Sequence, residues 1–310
     1  MIGITIVIII VLAIIFLFVS EKIFERTNYY KMNYSETNKL KGEDKVEYVN
    51  TGSTFAYYGI DYEWIGVKGL NLALCPQPLE SDFKMLKHFE GRYNKGAVIF
   101  IVVSDLAFAK KGYTEKQINE KYYRVLKASE IEGYNPFKAL KAKYLPVLYS
   151  WKNFLRFHWD VRPDHEYELK VNENDREAVE ADAYKRCQLW MNEFGLDNLS
   201  DAKQGEKFKD AFEYTTGVVK EMISWCRERG YKPILVNLPV TAEMESSFSE
   251  SFLQAFYYDH INKAGNAPFI DLQANARLAD YLLYLDSCRL NRAGRQVITK
   301  ILLREADKLK

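Results

Sequence analysis

Histidine and cysteine are both scarce in this chain, at four each among 310 residues. The cysteines, Cys75, Cys187, Cys226 and Cys288, lie far apart and form no C-x-x-C pair. That removes a zinc-ribbon or disulfide-framework reading and leaves buried thiols as the expectation. The histidines, His88, His158, His165 and His260, match no metal-ligand spacing, so neither a metal nor another cofactor is expected. An excess of one charge is missing too, since 43 Lys and Arg stand against 42 Asp and Glu. A net charge of +1 supplies no bulk attraction for nucleic acid. Internal repeats and low-complexity tracts are also absent.

What is present begins at the second residue. From Ile2 to Val19 the chain is apolar, with no charged side chain. At about 1.5 Å per residue that run covers roughly 27 Å, close to the hydrocarbon thickness of a bilayer. A core helix would keep a polar face, and this run has none. A cleaved signal peptide would need a basic lead and a small-x-small site, yet Ser20 runs straight into Glu21 and Lys22. The expectation is a single uncleaved span at residues 1–20 that inserts in a bilayer through residues 2–19. Lys22, Arg26, Lys31, Lys39 and Lys41 follow it with no Lys or Arg before it. Taken alone, the positive-inside rule puts the rest of the chain in the cytoplasm. Residues 21–44 are polar and short of aliphatics, as a tether would be.

Beyond the tether, β-type runs alternate with helical patterns. Lys45–Asn50, Leu70–Leu74, Ala97–Val103, Pro233–Leu238 and Pro268–Leu272 read as strands. The uninterrupted apolar run at 97–103 marks a strand buried on both faces. Helices are expected near 81–92, 115–130, 137–156, 176–193, 205–230, 243–263, 274–284 and 292–309. The pattern predicts an α/β domain over 45–310, three-layer α/β/α with a parallel, flavodoxin-like sheet. The stretch 104–232 is far longer than one crossover needs and is expected to be a helical insertion after the third strand. In such sheets the chemistry lies at the carboxyl ends of the strands.

Two motifs fall at those ends. Asn50-Thr51-Gly52-Ser53-Thr54 follows the first strand and can present a hydroxyl at a helix N-terminus, where Ser and Thr are also ordinary caps. Asp286-x-x-Arg289-Leu290-Asn291-x-x-Gly294 precedes the last helix. Together they resemble the SGNH (GDSL-type) hydrolase superfamily, above all its membrane-anchored bacterial members associated with cell-surface polysaccharides. The resemblance spans about residues 45–309. It implies a nucleophile at Thr54, with Ser53 beside it, an orienting acid at Asp286 and a base at position 289. It also implies oxyanion or substrate contacts from Asn71, Pro76 and Ser104 in the loops after the second and third strands and from Asn291 before the last helix, and an extracytoplasmic domain, against the charge rule.

The departures from that pattern carry as much information as the matches. Arginine is always protonated near neutral pH, so Arg289 cannot act as a base. The methyl branch of Thr54 restricts its side chain, and Pro76 has no N–H to give. His158 and His165, flanking Asp160, Arg162 and Asp164, are the histidines available as replacements; His88 and His260 fall inside predicted helices. Asp286 and Arg289, three apart, can pair and lock the loop, or Arg289 can hold an anionic sugar; relic and binding site are equally open. The leading expectation is a membrane-anchored pseudoenzyme that binds or scaffolds during synthesis or modification of a bacterial surface polysaccharide. An active carbohydrate esterase or O-acyltransferase using Thr54 or Ser53 is the alternative, and a purely structural membrane protein a third.

Overall fold

A computed structural model describes residues 2–112, 121–161 and 176–309. Along the chain the elements are α1 (Ile2–Arg26), α2 (Asn28–Asn33), β1 (Val46–Asn50), α3 (Thr54–Gly59), β2 (Gly69–Asn71), α4 (Leu79–His88) and β3 (Tyr93–Val102). There follow α5 (Pro136–Tyr144), α6 (Pro146–Tyr149), α7 (Trp151–Phe157), α8 (Arg176–Phe194) and α9 (Lys209–Glu228). The last are β4 (Lys232–Asn237), α10 (Ala242–Glu245), α11 (Glu250–Leu253), α12 (Asp259–Ala264), β5 (Phe269–Asp271) and α13 (Arg292–Lys308). They fall into two compact units, one drawn from the N-terminal 41 residues and part of the long insertion, the other from the rest.

In the first unit α1 is long and apolar enough to cross a membrane, with residues such as Ile4, Ile9 and Phe16 exposed. The polar tether expected at 21–44 is not there. α1 runs on to Arg26, α2 follows, and Ser35–Leu40 form a 3-10 helix. Phe24 and Tyr34 are fully buried and pack with Val147 and Phe154. Thr27 caps α2 by accepting from Tyr30 N at 3.1 Å. The Tyr34 hydroxyl meets Ser150 Oγ at 2.7 Å, and Val147 N donates to Glu21 at 3.0 Å. A buried ion pair between Lys121 and Glu36, 2.8 Å apart, ties in the start of the insertion. Polar composition misled because the segment packs through aromatic rings, Phe24 and Tyr34 above all, and the Tyr34 hydroxyl finds a partner in Ser150.

The second unit holds a five-stranded parallel sheet in the order β2-β1-β3-β4-β5, the order of flavodoxin-like doubly wound sheets. β3 sits at its centre, and Ala97 to Val102 are all buried, as their unbroken apolar run requires. Alternation sends Val98, Phe100, Val102, Ile234, Val236 and Ile270 to one face, against Ile298, Leu302 and Ala306 of α13. Val49, Ile99, Ile101 and Leu235 are buried on the other face. There α9 packs on β4 and α4, burying Val219, Met222, Ile223 and Cys226 at helical spacing. All four cysteines are free thiols and three are buried.

Three helical expectations need correction. The stretch 137–156 is broken into α5, α6 and α7, with Pro146 starting α6, a position where its missing N–H is harmless. The stretch 243–263 is interrupted between α10 and α11, where the Ser249 side chain caps α11. The stretch 274–284 yields only two 3-10 turns, each started by an Asn or Asp that accepts from a backbone N–H. Of the helix expected at 115–130, residues 115–120 lie outside the described residues, and from residue 123 on it is turns and a 3-10 helix at Ala128–Glu130.

Gly294, in the first turn of α13, is a packing requirement. A Cβ there would stand 2.2 Å from the Leu283 carbonyl oxygen and 2.8 Å from a Leu290 methyl. Gly294→Ala is therefore expected to destabilise the fold by about 2–3 kcal/mol through overpacking against backbone. Urea denaturation of the full chain in detergent measures this; a variant as stable as its parent would refute the close approach.

Candidate functional site

The sheet order reverses between β1 and β3, and their carboxyl ends flank a crevice. The turn Gly52-Ser53-Thr54 leaves β1 there and starts α3. Gly52 has φ of +122°, and a Cβ on it would lie 2.7 Å from that of Ala56 and 3.1 Å from that of Val102. Only glycine allows the turn to lie this close to β3. Its N–H donates to Asp82 at 2.8 Å, and Gln77 Nε2 donates to the same carboxyl at 2.6 Å and to the Gly52 carbonyl at 3.2 Å. Gln77 N donates to Ser53 Oγ at 3.0 Å. So the N–H that Pro76 lacks is provided one residue later.

These residues line a cavity of about 160 Å³ with Ser53, Thr54, Pro76, Ser104, Asp105 and Trp190 on its walls. Phe55 and Trp190 approach ring to ring at 6.3 Å, and Lys110 pairs with Glu193 on the lining. Burial, reinforced by Asp271, pushes the Asp105 carboxyl up to about 7. The cavity thus combines three hydroxyls, two carboxyls that burial pushes up toward neutrality, one lysine and aromatic rings.

The second motif is built differently from a catalytic dyad. Asp286 Oδ1 accepts from the backbone N–H groups of Cys288 and Arg289 at 3.0 and 2.8 Å. Its other oxygen is bonded by Arg289 Nε and by Arg186 of α8, the latter at 3.0 Å. Arg186 also forks onto Asp182, which accepts from the Ser287 backbone and hydroxyl. Burial pushes the Asp182 carboxyl up, but the Ser287 hydroxyl and Arg186 outweigh it and the net shift is downward. Burial likewise opposes the charge on Arg289, and the Asp286 carboxylate more than offsets it. Arg289 therefore stays protonated. Its guanidinium lies 5.2 Å from the ring centre of Tyr58, one helical turn beyond Thr54 on α3.

The structure brings Thr54, Ser53, Pro76 and Ser104 together on one cavity and leaves Asp286 and Arg289 off its lining. Among the described residues neither Ser53 nor Thr54 is hydrogen-bonded to Arg289 or to a histidine, and the Thr54 hydroxyl has no partner. Two expected contacts are corrected. Asn71 spends its amide on the Ala56 and Ile60 carbonyls and accepts from Asn50 and Ala73, so it braces α3 against the sheet. Asn291 caps α13 by accepting from Gly294 N at 2.9 Å and donates to the Leu282 carbonyl. Both side chains are consumed by bonds within the protein. His260 is buried on α12 against Thr216 and the Ala255 carbonyl, His158 belongs to the first unit, and His165 lies outside the described residues.

Sequence reading missed Gln77, Asp82, Asp105, Lys110 and Trp190. Asp105 lies three residues past the end of β3 and was within reach of a strand-end search. Asp82, Trp190 and Arg186 sit mid-helix, where spacing carries no sign of a site.

Fold and site together define an α/β domain with a parallel sheet whose hydroxyl-bearing turn opens on a cavity at the strand ends. No protein-family model and no curated protein matches the chain. Among solved structures, the crystal structure of protein YxiM from Bacillus subtilis is similar, at 11% identity and a TM-score of 0.35. The match covers 86% of this chain and 57% of YxiM, so the chain spans little more than half of that protein.

Burial pushes the Asp82 carboxyl up to about 8 from an ordinary 3.8, against the opposing bonds from Gly52 and Gln77. Between pH about 4 and 8 the unfolded chain releases a proton that the folded chain keeps, so stability falls as pH rises through that window. Asp82→Asn retains an acceptor and removes the titration. Urea denaturation across the window is expected to show a shallower loss in the variant; equal slopes would refute the buried neutral carboxyl.

Proposed function

We propose that this chain is a membrane-anchored, SGNH-hydrolase-like protein that binds or scaffolds in bacterial cell-surface polysaccharide synthesis or modification and does not hydrolyse esters by a Ser-His-Asp route. The carrying observation is that Asp286 is held by two arginines, Arg289 and Arg186, with no imidazole among the described residues bonded to either hydroxyl. A triad needs a neutral base between acid and nucleophile. An arginine that stays charged leaves the Thr54 proton with no acceptor there. The open cavity beside Thr54, with Trp190 and Phe55 on its wall, supports retention of ligand binding. Aromatic faces with polar groups around them suit a sugar ring.

Asp105 favours one second reading. It lines the same cavity as Thr54 and titrates near neutrality, which fits a general base in an active carbohydrate esterase or O-acyltransferase. Hydrolysis of a small acetyl ester by the full chain in detergent separates the two. On the first reading the parent is silent and Arg289→His with Thr54→Ser gains activity. Turnover by the parent that Thr54→Ala or Asp105→Asn abolishes would overturn it in favour of the second.

The extracytoplasmic placement rests on the resemblance and opposes the charge following α1. Protease added to cells with a permeabilised outer layer and an intact inner membrane is expected to digest the domain. Complete protection would put it in the cytoplasm.

A further inference from the structure

The first unit carries an apolar surface that its own fold leaves open. Along α5, α6, α7 and the turn after them, Phe137, Leu140, Tyr144, Leu148, Trp151, Leu155 and Trp159 are all exposed. Within α5 (Phe137, Leu140, Tyr144) and from α7 into the turn after it (Trp151, Leu155, Trp159) the spacing is three or four residues, the repeat of one helix face. The inward positions of the same segment are also occupied. Ala139, Ala142, Val147 and Ser150 are buried, and Phe154 packs on Phe24 with ring centres 6.0 Å apart. So this segment has two apolar faces, and only one is used. Phe137 is 77% exposed and Trp159 72%, too much for an edge of the core. Contiguous exposed apolar surface of this kind marks a contact site.

Charge and position select the occupant. From Pro136 to Trp159 the chain carries Lys138, Lys141, Lys143, Lys152 and Arg156 and no acidic residue. Basic side chains interleaved with Trp, Tyr and Leu are the composition of a segment lying in a membrane interface. The segment is also fixed to the end of α1. Val147 N donates to Glu21 at 3.0 Å, and Phe24 lies against Phe154, so the surface starts where the apolar run of α1 stops.

We propose that the exposed face of α5–α7 is a second membrane contact, seated in the headgroup and acyl boundary of an anionic bilayer beside the span. This rests on the anchor reading of α1. The face holds the segment against the lipid surface, with Trp151 and Trp159 at the depth of the headgroups and the five basic side chains on anionic lipids.

The chain offers a clean readout, because its tryptophans are Trp64, Trp151, Trp159, Trp190 and Trp225 and α1 has none. Full-length protein is reconstituted in vesicles of phosphatidylcholine and phosphatidylglycerol at about 7:3, with and without brominated acyl chains. Bromine is expected to quench part of the tryptophan emission, and the Trp151→Phe/Trp159→Phe variant is expected to lose that quenching while retaining its circular dichroism. Carbonate extraction tests the anchor separately: release from the vesicles is failure of the α1 reading. Protein that resists extraction yet shows no quenching overturns the second contact alone, as does quenching that survives unchanged in the double variant. Absent quenching together with crosslinking of a photoreactive residue at position 159 to a protein in native membranes would give the face to a protein partner instead.

Discussion

The carboxylate of Asp286 spends one oxygen on the loop it caps and shares the other between two guanidinium groups. Much of the second unit's chemistry turns on this pairing. It zips α8 onto the loop before α13 through Arg186, with Asp182 and Ser287 closing the other side. It also holds Arg289 against Tyr58, so the loop and α3 are fixed together without a titrating group between them. Partly buried ion pairs of this kind contribute little net stability, because desolvation offsets their attraction, but removing one member leaves an uncompensated charge. The network therefore resists piecemeal change.

The hydroxyl turn is kept by other means. Gly52, Gln77 and Asp82 form a self-contained set in which a neutral carboxyl accepts from a backbone N–H and a side-chain amide. None of them depends on the ion pairs. The turn thus persists with its cavity whether or not the loop at 286–289 is suited to proton transfer. That independence lets the pocket keep its shape whatever side chains the loop at 286–289 carries.

How much of this was legible beforehand follows from which interactions are local. β3 and β4 were legible because apolar, β-branched runs buried on both faces leave an unmistakable pattern, whereas β2 is Gly69–Asn71, shifted from the expected Leu70–Leu74. Gly52 and Gly294 were legible as motif members, and their steric reasons are now visible. Asn71 and Asn291 were misjudged because an amide near a strand end reads the same whether it faces a ligand or a carbonyl. The tether at 21–44 was misjudged for a longer-range reason: its partners are residues 147–154, over a hundred positions away. Arg186 and Trp190 escaped notice for the same cause, since only the fold brings α8 to the strand ends.

The composition of the first unit from two separated stretches sets a timetable on the ribosome. Phe24 and Tyr34 are made early, but the side chains that cover them, Val147, Ser150 and Phe154, come far later in the chain. At synthesis rates of about 5–20 residues per second the N-terminal aromatics wait on the order of ten seconds for their cover. During that interval β1, β2 and β3 emerge in full, while β4, which pairs with β3, is still to come. Both units are therefore left half-made at the same moment. A helper that shields aromatic surface during translation has its natural point of action here, between the completion of β3 and the arrival of α7.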